Sequence, residues 1–127
     1  MTIPEIGGRP QVEGILTRGV ELRFIPDPGA SGSIDTQQPG FCEMSTAAAE
    51  TRTLPNPVFR GQEIDLTFIK DRGDLTMTSS SPVNQSGHTT LLFQDVGDHV
   101  RLIGFHNSTD GWEWRVLASD FDNGSIS

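Results

Sequence analysis

The sequence predicts an all-β domain, a small antiparallel sandwich or barrel-like fold with almost no helix. Two observations carry this. Short segments of alternating apolar and polar residues recur about every 10–13 positions from residue 63 onward, the period of half-buried strands. Between them stand Gly, Pro, Asn and Asp, whose backbone preferences make turns. No fixed-period repeat with shared residues accompanies the pattern.

Residues 1–19 hold Pro4, Gly7, Gly8, Pro10, Gly14 and Gly19, with only Ile3, Ile6, Val12, Ile15 and Leu16 to bury. That spacing fits neither helix nor strand over any length. It reads as an extended arm with room for a short strand near 12–16, or equally as a terminus that only neighbouring contacts would order. Residues 20–25 alternate cleanly and stop at Pro26 and Pro28, which cannot donate to a strand ladder. Residues 30–40 form a polar loop. Residues 41–50 are ambiguous: Ala47, Ala48 and Ala49 favour helix, but so short a run is marginal alone. A strand running on into 51–54 is preferred.

Pro55 and Pro57 push their predecessors towards extended backbone, so 54–57 reads as a rigid corner. Residues 60–62 turn into 63–69, the best-alternating strand of the chain, and 71–74 turn it back into 75–79. A polar loop with Pro82, Asn84 and Gly87 leads to a strand over 89–93. Residues 95–98 then turn into a hairpin, with strands over 99–105 and 112–117 and a loop of about five residues containing Asn107, Asp110 and Gly111. In the hairpin Val100 and Leu102 oppose Arg101 and Ile103, while Trp112, Trp114 and Val116 share the face opposite Glu113 and Arg115. The expected organisation is an arm over 1–19, a β-domain over 20–118, and a polar, loop-like or frayed tail over 119–127.

Leu, Ile, Val and Phe make up about a quarter of the 127 residues, enough for a core but a thin one. Oligomerisation is a common remedy for such a deficit. Seventeen Asp and Glu face nine Lys and Arg, of which only Lys70 is lysine, and the formal net charge is −8. An acidic surface disfavours nucleic acid and anionic lipid, so neither is expected as a partner. It suits solubility, or docking onto a surface of complementary charge. The single cysteine, Cys42, cannot form an intrachain disulfide. The first residues lack the charged and apolar regions of a signal peptide, and no apolar run nears the ~20 residues that span a bilayer. Synthesis and folding in a cytoplasm are expected.

No chemistry-bearing constellation stands out. His88, His99 and His106 are spaced unlike metal ligands and read as structural or surface residues. No Gly-x-Ser-x-Gly is present, and Glu43 beside Cys42 would raise a thiol pKa. The Asp-rich turns do not reproduce a calcium loop. Neither cofactor nor metal is expected. Trp112 and Trp114 could form a sugar-stacking platform. In a chain without Tyr, packing in a core or a subunit interface is the preferred role for Trp112, Trp114 and Val116.

From Thr51 onward the elements run Thr51-Arg52-Thr53-Leu54-Pro55-Asn56-Pro57, Gly61-Gln62, a strand, Asn84-Gln85-Ser86-Gly87, a strand ending at Phe93, Asp95-Val96-Gly97-Asp98, a strand, then Trp112, Trp114, Arg115, Val116 and Leu117. This order over 51–118 resembles small β-rich structural proteins of tailed bacteriophages: capsid decoration (cement) proteins and the trimeric β-modules that end tail fibres and spikes. The resemblance implies a homotrimer packed about a local three-fold axis, without enzymatic activity. A decoration protein clamps major capsid subunits on the outer face of the virion, often with an extended arm. Here the arm would offer Ile3, Ile6 and Val12. A fibre or spike tip, or an unrelated carbohydrate-binding β-module, is the alternative.

Overall fold

Alternation in the sequence becomes strand in the computed structural model, which describes residues 23–121 and 124–127. Among these are ten strands and no helix: β1 (Arg23–Ile25), β2 (Gly32–Ser33), β3 (Gly40–Ser45), β4 (Glu50–Leu54), β5 (Glu63–Lys70), β6 (Leu75–Ser79), β7 (Thr90–Phe93), β8 (His99–Asn107), β9 (Gly111–Asp120) and β10 (Ser125–Ile126). The expected arm with Ile3, Ile6 and Val12, and the start of the 20–25 strand, lie outside the described residues. The ambiguous 41–50 stretch is strand, broken by a corner at 46–49 into β3 and β4. Beyond Ser119, where a loop was expected, β9 continues to Asp120 and β10 pairs with β7.

Two five-stranded sheets pack as a sandwich, the first in the order β1-β3-β5-β8-β9 and the second β10-β7-β6-β4-β2. The all-β class expected from the sequence is thus the observed one, but the sheets are mixed rather than wholly antiparallel. β1, β3 and β5 run parallel in the first sheet, and β2, β4 and β6 run parallel in the second. The cause is connectivity. From β1 to β6 the chain crosses to the other sheet after every strand, so each return to a sheet is in the same direction. The turn at 71–74, expected to close a hairpin, is one of these crossings. Only afterwards do antiparallel pairs form, β6 with β7, β8 with β9, and β8 against β5.

Such winding stacks successive corners at the two ends of the sandwich. At one end lie the crossings from first to second sheet, at 26–31, 46–49 and 71–74. The Thr46 hydroxyl donates to the Gly73 carbonyl at 2.7 Å and accepts from the Arg72 amide at 3.1 Å, tying two of these corners together. The approach is so close that a Cβ on Gly73 would stand 2.2 Å from the Ala48 carbonyl carbon. Gly73→Val is therefore expected to destabilise the fold by roughly 1–3 kcal/mol, as overpacking does, read as a lower urea midpoint at unchanged slope. An unchanged midpoint would mean that the corners can separate at no cost.

The core fills from both inner faces. β3, β5 and β8 contribute Cys42, Met44, Ile64, Leu66, Phe68, Val100 and Leu102; β4, β6 and β7 contribute Leu54, Leu75, Met77, Leu91 and Phe93. Phe68 and Phe93 meet edge to face across the sheets at 6.4 Å, and Phe121 continues the contact at 5.4 Å from Phe93. Each such side chain contributes about 1.5–3 kcal/mol by leaving water. Arg52 is also buried, at 1% exposure on the inner side of β4. Its Nε and Nη2 donate to Asp27 at 2.7 and 3.0 Å, Nη1 to Glu50 at 3.0 Å, and Nη2 also to the Ser45 carbonyl at 2.8 Å. One guanidinium thus joins the corner after β1, the end of β3 and the start of β4.

Candidate functional site

The crossings from second to first sheet after β2 and β4 meet the start of the β6–β7 connection at the opposite end, and together they build an open groove of about 530 Å³, closed on one side by Trp112 of β9. Its centre is the Pro55-Asn56-Pro57-Val58 segment. Two prolines fix the backbone there but leave its polar groups without a ladder, and buried side chains satisfy them. The Trp114 indole N–H donates to the Pro55 carbonyl at 3.0 Å, and the Thr36 hydroxyl to the Asn56 carbonyl at 3.1 Å. The Val58 amide donates to Gln62 Oε1 at 2.7 Å, while Gln62 Nε2 donates to the Thr36 carbonyl at 2.7 Å. Ser81 donates to the Asn56 side-chain oxygen. Thr36, Gln62, Ser81 and Trp114 are all buried, so the groove rests on a rigid footing. Gly104 lies behind Pro57, where a Cβ would come within 2.5 Å of the ring.

Around the rim, Gln37, Asn56, Val58 and Ser80 are exposed, and Trp112 is half-buried with His106 edge-on at 4.9 Å. None of the lining residues, Thr36, Gln37, Pro55, Asn56, Pro57, Val58, Ser80 and Trp112, carries a charge. The charge beside this rim is Asp35, which accepts from the Gln37 amide at 3.0 Å and pairs with Arg23 at 3.4 Å.

Trp112 and Trp114 do not form a joint platform. Trp114 is 0% exposed, packed in the chain's own core rather than against a second subunit, while Trp112 turns to the groove. Val116 is half-buried against the core. After it, β9 bulges at Leu117, since Leu102 pairs with Val116 but Arg101 with Ala118. Cys42 is buried, and burial, reinforced by the Asp27 charge, pushes its thiol up to about 12, so it does not act as a thiolate. The Asp-rich and Asn-rich turns bind their own backbone: Asp71 accepts from the Gly73 amide, Asp98 from those of Gln94 and Asp95, and Asn107 from those of Thr109 and Asp110. Among the described residues no group of three or more His, Cys, Asp and Glu converges as a metal site.

A second surface is the outer face of the first sheet. At its β1 edge Phe24, 53% exposed, meets Phe41 edge to face at 5.5 Å. Asp65 and Arg101 form a two-pronged ion pair at 2.8 and 3.1 Å across β5 and β8, with His99 Nε2 3.9 Å from the same carboxylate. Further along, Arg115 binds Glu113 at 2.7 Å and lies 5.5 Å over the Phe105 ring.

Sequence reading singled out the proline corner and Trp112. It missed Thr36, Gln37 and Ser80, which carry no motif, and read Gln62 only as part of the Gly61-Gln62 turn; these residues meet because the fold brings their corners together. Comparison with protein-family models and with curated proteins gave no match.

Proposed function

We propose that the protein is a virion structural protein of the capsid decoration type, a homotrimer without enzymatic activity that attaches to the outer surface of a preformed phage head and bridges major capsid subunits. The element order over 51–118 supports the reading. The observation that carries it is the Phe24–Phe41 pair, two aromatic rings side by side on the outer face of a sheet edge. Single exposed apolar residues are ordinary, whereas a paired aromatic patch marks a surface that a partner covers. Phe24 lies in β1, the strand next to residues 1–22, so an arm over 1–19 carrying Ile3, Ile6 and Val12 would leave the domain beside that patch.

The mechanism is physical. Each copy contributes a modest apolar and hydrogen-bonded contact with the major capsid protein, and many copies on one shell make the sum strong. The arm adds by pairing with an exposed capsid strand edge or by seating Ile3 and Ile6 in pockets. The acidic surface keeps the free protein soluble, so attachment depends on specific contacts. Neither nucleic acid nor membrane takes part, and no cofactor is needed.

Deletion of residues 2–19 tests the reading. The truncated protein is expected to remain a folded trimer by light scattering and to lose co-sedimentation with undecorated heads. Full capsid binding by the truncated form would remove the arm from the mechanism, and no binding by the intact protein would end the decoration reading.

A further inference from the structure

We infer that the groove between the Pro55–Val58 corner and Trp112 is a binding site for a neutral oligosaccharide. The inference does not depend on the decoration reading and rests on three features of the groove. First, the site is built in advance. Four buried side chains, Thr36, Gln62, Ser81 and Trp114, hold the backbone and side chain of the corner, so the floor of the groove is ordered before a ligand arrives.

Second, the groove presents one half-buried indole flanked by the uncharged polar side chains of Gln37, Asn56 and Ser80. A pyranose has a face of C–H bonds that stacks on an aromatic ring, and an equatorial rim of hydroxyls that both donate and accept. Amide and hydroxyl side chains match that rim because they too do both. His106 packs perpendicular to the Trp112 ring at 4.9 Å and helps to fix its orientation.

Third, the lining bears no charge although the protein carries a net charge of −8. A phosphorylated or sulfated ligand would find no cation in the lining and the Asp35 carboxylate beside it, and a neutral one loses nothing. The groove is open rather than enclosed, which suits one or two residues of a longer chain better than a free monosaccharide. A proline-rich peptide is the competing occupant, since such segments dock on aromatic grooves. Here the prolines are already on the protein side, and amides crowd the rim.

The two tryptophans give two indole N–H resonances, which Trp112→Phe assigns. The ¹⁵N-labelled full chain is titrated separately with cellohexaose, maltohexaose, mannohexaose, chitohexaose and decaproline. At least one saccharide is expected to move the Trp112 resonance saturably, while the Trp114 resonance, fixed on the Pro55 carbonyl, stays in place. Trp112→Ala, followed through the backbone amide resonances of Gln37, Val58 and Ser80 in place of the lost indole, should weaken that binding by about tenfold or more, equivalent to one lost stacking contact. Its unchanged Trp114 resonance would certify the fold. Gln37→Ala, at an exposed position whose side chain anchors nothing in the corner, should weaken it by about threefold or more. Absence of any saccharide response, persistence of the response in both variants, or a response to decaproline alone would overturn the assignment. None of these outcomes bears on capsid attachment, which is read by co-sedimentation.

Discussion

Arg52→Ala is expected to destabilise the protein by about 3–5 kcal/mol, a large part of the 5–15 kcal/mol typical of a whole domain. The reason is less the attraction lost than the charges left behind. Arg52 has no exposed side-chain surface, and its partners Asp27 and Glu50 retain only 21% and 13% of theirs. Removing the guanidinium takes away the counter-charge of both carboxylates and a donor to the Ser45 carbonyl, leaving Asp27 to the Gly29 and Ser45 amides and Glu50 to the Ala47 amide, at the end of the sandwich where three crossings meet. Thermal unfolding should show a midpoint lowered by roughly 10–20 °C. Adding Asp27→Asn to Arg52→Ala should recover part of the loss, because an amide tolerates burial better than an unpaired carboxylate. A double variant as unstable as the sum of the singles would mean that the ion pair is incidental.

The same cluster sets an acid limit. Burial pushes the Asp27 carboxyl up, but hydrogen bonds from Arg52 and from the Ser45 and Gly29 amides outweigh it and hold the group below its ordinary 3.8. A carboxylate with a lower pKa folded than unfolded stabilises the fold fully above the unfolded value, and that contribution is lost as pH falls through the folded one. Stability should therefore decline below about pH 4, and less steeply in Asp27→Asn.

Trp114→Ala is the second large effect, expected at about 3–5 kcal/mol. The indole is wholly buried, and truncation opens a cavity between β9 and the proline corner. It also orphans the Pro55 carbonyl. Trp114→Phe separates these contributions: most of the volume stays, the hydrogen bond goes, and the cost should fall to about 1–3 kcal/mol. Denaturant unfolding measures both. Equal losses in the two variants would assign the whole effect to the hydrogen bond, and a negligible loss in Trp114→Ala would contradict its place in the core.

These residues mark how far the sequence could be read. Alternation located β5, β6 and β8 by their single buried face and β9 by its spaced tryptophans, β7 was marked more weakly by an apolar run, and Pro55 and Pro57 announced a rigid corner on their own. Alternation reports which face of a strand is buried, but not which strand lies beside it. So nothing along residues 63–79 distinguishes a hairpin from a crossing between sheets. Arg52 looked like any polar residue in an alternating run, since its partner Asp27 lies 25 positions away in a loop. Gln62 and Thr36, which hold the groove, are 26 positions apart, and nothing in the Gly61-Gln62 turn announces that its amide reaches Thr36. Trp112 and Trp114 seemed equivalent by period, yet one lines the groove and the other is wholly buried with its indole N–H on the Pro55 carbonyl, a difference that period alone does not carry. Residues that act through stacked corners are invisible until the winding is known.

Capsid attachment is the central claim, and electron cryomicroscopy of undecorated heads incubated with the intact protein tests it most directly. The account predicts two-sheet density on the outer surface, grouped as trimers at local three-fold positions between major capsid subunits, with the Phe24–Phe41 edge turned towards a neighbour. Bare heads under saturating protein would contradict it.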